Sequence, residues 1–336
     1  MAYRRVTVFG GSGFIGRHIV RRLAAEGAVV RVAVRDRERA MFLKPMGDVG
    51  QVVPMHVDVR DDELVAAALD GVDAAINLVG ILFERGGNRF GRVHAEAAER
   101  IARSAAANGV GRLIHMSALG ADARSLSDYA RSKAAGEARV REAYADATIF
   151  RPSVVFGPED DFFNRFAALA RITPALPVYG CGLPKLVAGA NGGWTLDLYG
   201  KGGTLFQPVY VGDVADAVLA ALHRPDSAGQ SYDLGGPTVY SFKQILELVL
   251  AQIGRRRLLV PLPFWVGSLT AAFLQFLPKP PLTPDQVKLL RRDNVVPDGA
   301  RTLSDLGIQA TAAEAILPTY MDRFRKHGRW SEAGAT

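Results

Sequence analysis

The sequence predicts an α/β fold, a doubly wound parallel sheet followed by a smaller, mostly helical C-terminal domain. Two observations carry this. Apolar runs of strand length alternate with helical patterns through the first half of the chain, and a glycine-rich turn joins the first run to the first helix. Taken in order, residues 6–9, 29–34, 52–57, 74–79, 113–116 and 147–150 are near-continuous apolar runs, as expected of strands buried on both faces. Residues 15–25, 63–69, 95–107 and 129–144 carry the helical period between them. Strands and helices at this spacing are βαβ units, and their crossovers build a parallel sheet.

After Pro158 the texture changes. A helix is expected at 160–171, then a glycine-rich insert at 180–203, a strand at 206–211 and a helix at 213–222. The remainder, about 225–330, reads as helical and richer in proline. The expected division is 1–157 for the first domain, with 204–235 contributing to it, and 158–330 for the second.

At 336 residues, with 49% hydrophobic and 22% charged, the chain has an ordinary globular composition. One cysteine, Cys181, excludes a disulfide framework, and the six histidines show no metal-ligand spacing. A reducing compartment is the expectation, and neither a targeting peptide nor a membrane-spanning segment is predicted. The net charge of +7 suits an anionic cofactor, an acidic partner or an anionic membrane face, or marks a merely solvated basic surface. No motif points to nucleic acid.

The first strand runs into Gly10-Gly11-Ser12-Gly13-Phe14-Ile15-Gly16 and then a helix. Gly10 permits the tight turn, Gly13 admits a pyrophosphate close to backbone N–H groups, and Gly16 lets the helix pack on the strand. The helix N-terminus then faces the phosphate charge. This is the Rossmann arrangement, and its Gly-x-x-Gly-x-x-Gly spacing resembles the short-chain dehydrogenase/reductase family, extended class. The resemblance implies adenine contacts from Asp58 and Val59 after the third strand. It implies a cofactor lining from Leu78, Val79 and Gly80 after the fourth. The second strand ends in Arg35, whose guanidinium suits the 2′-phosphate of NADPH, with Arg37 and Arg39 adding charge nearby. The alternative is that Asp36 takes a ribose hydroxyl and the cofactor is NADH.

Tyr129-Ala130-Arg131-Ser132-Lys133 matches the family's Tyr-x-x-x-Lys. Positions four apart share a helix face, so Lys133 is expected to lower the Tyr129 pKa and to hold the nicotinamide ribose. The family's serine falls just past the fifth strand. In the register expected here Ala118 takes that place and Ser117 precedes it, which suggests a cofactor held rather than turned over. The segment from Arg151 through Pro152 and Ser153 to Pro158 resembles the family's frame for the nicotinamide, and 207–215 its later strand-to-helix signature.

Several stretches narrow the resemblance: 77–80, 115–122, 133–137, 156–164 and 303–308. They look like the dehydrogenase-like accessory subunits of respiratory complex I. That resemblance implies tightly bound NADPH, the other complex I subunits as partners, and a peripheral place on the cytoplasmic or matrix face of the respiratory membrane. Two other readings are a free NADP(H)-dependent reductase or epimerase, and an NADP(H)-sensing module.

From Arg255 to Leu277 a basic cluster leads into an uncharged run broken by Pro261 and Pro263. In its helical remainder, 264–277, Trp265, Leu269, Ala272, Phe273 and Phe276 share one face. Such a stripe beside arginines fits an interfacial helix on an anionic membrane surface. A core helix of the second domain is the equal alternative.

Overall fold

The computed structural model describes residues 3–181, 185–188, 194–277, 280–326 and 328. It has two compact units: Met1–Pro152 with Val211–Gly235 and Val296–Ala310, and Ser153–Tyr210 with Gly236–Val295 and Thr311–Thr336. The first unit therefore leaves at Pro152, not 157, regains the chain at Val211, not 204, and recruits a third piece that the sequence does not mark.

The first unit is a seven-stranded parallel sheet. Its chain order begins β1 (Arg5–Phe9), β2 (Val29–Val34), β3 (Val52–His56), β4 (Ala74–Asn77), β5 (Arg112–Met116) and β6 (Thr148–Pro152), and Ser231–Leu234 is the last strand. Across the sheet the order is Ser231–Leu234, β6, β5, β4, β1, β2, β3. The reversal between β1 and β4 is the topological switch point at which such sheets bind ligands. Helices α1 (Phe14–Ala25), α2 (Asp62–Leu69), α3 (Ala97–Ala107) and α4 (Asp128–Ala143) are the crossovers. α1 packs with the helix Val211–His223, where Arg22 pairs with Asp216 at 2.6 Å. α2, α3 and α4 share a separate apolar core with Phe9, Ala75 and Leu113 of the sheet.

The expected helix at 95–107 is preceded by a π-helical turn, Gly91–Glu96. Here α4 presses close, because a Cβ on Gly136 would collide with the His94 carbonyl oxygen. Glycine at 136 is what allows α4 to bring its side chains up to that turn.

In the second unit an aromatic core gathers Phe156, Phe163, Phe206 and Phe242 with Leu246 and Leu317. The helix expected at 160–171 is Phe163–Ile172. Its late start follows from Asp160, whose carboxylate accepts the N–H groups of Gly157 and Asn164 and ends the preceding turn. The single strand expected at 206–211 is two short ones, parted by Gln207 and Pro208. Leu205–Phe206 pairs with Tyr240–Ser241, and Val209–Tyr210 with Val155–Phe156. Parts of the 180–203 insert lie outside the described residues; Lys185–Ala188 and Trp194–Asp197 form an antiparallel pair within it.

The uncharged run after Arg257 opens as a strand, Leu258–Leu262, parallel to Ala175–Tyr179. The helix that follows, Phe264–Leu274, turns its small residues inward: Gly267 and Ala271 are buried, and Gly267 lies against the Tyr179 ring. Trp265, Leu269, Phe273 and Phe276 are 68%, 56%, 71% and 83% exposed. A core helix would show the reverse. Arg256 is exposed, while Arg257 donates to the carbonyls of Ala170 and Arg256. No helix among the described residues is long and apolar enough to cross a membrane.

Candidate functional site

At the C-terminal ends of β1, β4, β2 and β3 the structure collects most of the residues expected to hold a dinucleotide. Gly10 adopts φ +76° and donates its N–H to the Ala33 carbonyl. A Cβ on Gly10 would sit 3.4 Å from the Leu78 carbonyl group, so the glycine turn and the loop after β4 meet there. Gly16 is closed by backbone, with Gly11 Cα at 2.6 Å and Gly10 O at 2.7 Å from its Cβ position. Gly13 is open by contrast, with only Gly10 O near, at 3.2 Å. The roles expected of the three glycines are therefore those their surroundings allow. Gly11 adds a fourth constraint, since its Cβ would lie 2.8 Å from Val32.

α1 begins after Gly13 with no side-chain cap and no acidic residue in its first turn, so Phe14, Ile15 and Gly16 face no competing carboxylate there. Arg17, which the sequence did not single out, donates to the carbonyls of Ser12 and Gly13 and stands 5.0 Å over the Phe42 ring. It braces the turn from outside. These donors and this open backbone fit a pyrophosphate.

Past β2, Arg35 is exposed and donates to the neutral Asn88 Oδ1 at 3.1 Å. Asp36 is turned away into local contacts, accepting the Arg39 N–H and pairing with the Arg39 guanidinium at 3.1 Å. Asp58 is held by Arg60 through two Nε contacts and Nη2. Those bonds hold its carboxyl at about 2, below the usual carboxylate range.

Tyr129 and Lys133 lie on α4, which Ser127 caps by accepting the Ala130 N–H. Lys133 Nζ donates to the Met116 carbonyl at 3.2 Å and stands 6.0 Å from the Tyr129 ring centroid. Gly80 faces it: a Cβ there would be 3.4 Å from Nζ. The expected lowering of the tyrosine does not appear. Burial pushes the Tyr129 phenol up to about 12, and pulls Lys133 down to about 8 against the opposing pull of Glu137. Just past β5, Ser117 donates its N–H to Phe150 O, and its buried hydroxyl has no partner among the described residues. Ala118 follows it, partly exposed. Pro152 ends β6 and accepts the Leu119 N–H, whereas Ser153 belongs to the second unit, where its hydroxyl donates to Asn294 Oδ1 at 2.6 Å.

Two histidines beside Lys133 escaped the sequence reading. Ile81 N–H donates to His94 Nε2, so the ring proton is on Nδ1, which donates to Ser132 Oγ at 2.8 Å. Asn77 Oδ1 accepts the Val79 N–H, so its amide NH₂ faces His115 Nδ1 at 3.2 Å and the His115 proton is on Nε2. Burial, then the Lys133 ammonium, lowers both rings to about 3. Nothing in isolated histidines along a sequence distinguishes such a pair from surface ones.

This pair predicts acid lability. In the unfolded chain each histidine takes up a proton as pH falls through about 6.5, while the folded protein resists until about 3. The unfolded state binds more protons in that window, so stability falls with pH. At pH 5 the loss is on the order of 2 kcal/mol for each ring. Melting temperatures should drop from pH 7 to pH 5, and His115→Gln should shrink the drop. Equal slopes in the two proteins would remove His115 from this account.

A family model described as "NAD dependent epimerase/dehydratase family" matches residues 6–235. The chain is 35% identical over 334 residues to a protein of Arabidopsis thaliana named NADH dehydrogenase (ubiquinone) 1 alpha subcomplex subunit 9, mitochondrial, covering 96% of this chain and 78% of that one. It is 33% identical to the Mus musculus protein of the same name, covering 96% and 81%. Among solved structures, the UDP-glucose 4-epimerase of Thermus thermophilus in complex with NAD superposes with a TM-score of 0.66 at 22% identity, over 99% of this chain and 100% of that chain. At that identity the likeness is one of fold alone.

Proposed function

The chain belongs to the NAD dependent epimerase/dehydratase family and to the family of the subunit 9 proteins of complex I, and from that premise we propose that it is an NADPH-holding accessory subunit of a respiratory NADH:quinone oxidoreductase. The observation that carries the nucleotide half is the end of β2, where Arg35 faces a neutral amide while Asp36 is engaged by Arg39. A 2′-phosphate suits that guanidinium better than a ribose hydroxyl does. NADPH would supply a hydride to any reaction at the site. The chain's own part is to seat the pyrophosphate on the N–H groups at Phe14–Gly16, the Gly13 N–H being spent on the Gly10 carbonyl within the turn, and to hold the nicotinamide ribose with Tyr129 and Lys133. Asp58, Val59, Leu78 and Val79 would line the adenosine side.

Membership of a complex is supported by likeness to the subunit 9 proteins over nearly the whole chain, beyond the nucleotide-binding part alone. In this reading the protein sits peripherally on the cytoplasmic or matrix face of the respiratory membrane. The apolar face of Phe264–Leu274 meets lipid or a membrane-arm subunit there, and Arg255 and Arg256 lie near anionic headgroups.

A second reading, a free reductase, is favoured by one feature: the buried Ser117 hydroxyl, without a partner among the described residues, just past β5, whose last carbonyl binds Lys133. One experiment separates the two. The tagged chain, recovered from its own membranes in mild detergent, should bring NADH:quinone oxidoreductase activity with it and release about one NADPH per chain on denaturation. Recovery as a free protein would overturn the complex reading. Oxidation of the bound NADPH at about 1 s⁻¹ or faster by aldehydes, ketones or nucleotide sugars, within the usual enzyme range, would establish the reductase in its place.

A further inference from the structure

The loop between β4 and the π-helical turn carries a feature that neither the family resemblance nor the dinucleotide fold calls for. Arg85 and Asn88 exchange backbone hydrogen bonds at 3.2 and 3.1 Å across Gly86-Gly87. Gly86 at φ +56° supplies the left-handed residue that so tight a turn needs. The returning limb is pinned by Glu84, whose carboxylate pairs with Arg89 at 3.1 Å and accepts the Phe90 N–H at 2.7 Å. This is a small, internally bonded strap.

Its tip reaches the ends of β2 and β3. Asn88 Oδ1 accepts from Arg35, and a Cβ on Gly87 would lie 3.6 Å from Arg60 Nη1. Arg35 also acts on the Asp58 carboxylate that Arg60 grips, so these groups share one small region. Among the described residues the Arg35 guanidinium makes no ion pair and donates to the strap, while the Arg35 carbonyl faces His56 Nδ1 at 2.8 Å.

We propose that the Gly86-Gly87 strap forms the outer wall of a phosphomonoester site on the adenosine ribose, with Asn88 as a specificity-determining residue beside Arg35. This rests on the NADPH reading above and adds a recognising group to it. The asparagine amide offers an acceptor that holds Arg35 in place and two N–H donors for phosphate oxygens. A phosphate on the 2′-oxygen carries close to two negative charges at neutral pH and strong acceptor oxygens. A ribose hydroxyl offers Arg35 only one neutral acceptor in exchange for Asn88. Because the strap is braced by its own hydrogen bonds, little ordering cost attends closure on the ligand.

The test uses the full chain, freed of bound nucleotide, titrated with 2′-phospho-ADP-ribose and with ADP-ribose, which differ only in that phosphate. Asn88→Asp sets a carboxylate against Arg35 and against the phosphate. It should weaken the phosphorylated ligand by about tenfold or more and change the other by less than about twofold. Asn88→Ala introduces no charge and should give a loss of about threefold, confined to the phosphorylated ligand. It also stands in if the aspartate variant folds poorly. If Arg35→Asp abolishes the preference while both Asn88 variants keep it, the strap inference is overturned and the NADPH reading survives. If Arg35→Asp keeps the preference too, the reading beneath it fails, and the strap with it.

Discussion

Replacing Arg35 with Asp is expected to erase or reverse a preference for NADPH over NADH that exceeds about tenfold in the unmutated protein, about 1.4 kcal/mol or more. The physical reason lies in what surrounds the position. Asp36, the nearest carboxylate in sequence, is fastened to Arg39, and Asp58 is fastened to Arg60. Both carboxylates are already engaged by an arginine. An aspartate at 35 would repel the 2′-phosphate and would accept the 2′-hydroxyl of NADH. Equal affinity of the unmutated protein for both nucleotides would defeat the NADPH reading at its root.

The second large effect is expected at the helix Phe264–Leu274. Trp265→Glu combined with Phe273→Glu should leave the protein folded and loaded with nucleotide, yet release it from membranes. Both side chains are mostly exposed, so charges there leave the apolar packing of the second unit intact. Each of these residues can bury an area worth about 2 kcal/mol or more against lipid or a hydrophobic partner. Arg256→Gln should weaken attachment chiefly at low salt, since a basic residue at an anionic surface contributes about 1 kcal/mol and is screened. Global unfolding of the double variant, with loss of nucleotide, would instead place this helix in the core.

The sheet was legible because its strands are buried on both faces and punctuated by turns. Val29–Val34 falls where its apolar run does, and the other five drift by only one or two residues. The glycines at 10, 13 and 16 were legible because each answers a local backbone demand. What escaped was non-local. The π-helical turn Gly91–Glu96 breaks the helical period that the sequence shows from residue 95. Leu258–Leu262 was hidden in an uncharged run whose prolines argue against a strand, and it forms beside Ala175–Tyr179, itself carrying Pro177. Strands of two residues, such as Val209–Tyr210, have no period to read. The neutral state of His94 and His115 depends on partners at positions 77, 81 and 132 that no spacing announces. The lysine was expected to acidify Tyr129; burial, which a motif does not carry, has the larger effect and the opposite sign.

The late return of the chain to its first sheet bears on how the protein is made. Strand β6 pairs on one side with β5, and on the other with Ser231–Leu234, which is translated roughly eighty residues later. At about 5–20 residues per second the ribosome needs on the order of 4 to 16 s to supply that partner. On that new edge the Asp233 N–H donates to the Arg301 carbonyl, from a piece made later still. Throughout that interval the nascent chain carries Thr148–Pro152 as an open, largely apolar edge, the kind of surface on which strands of other chains add.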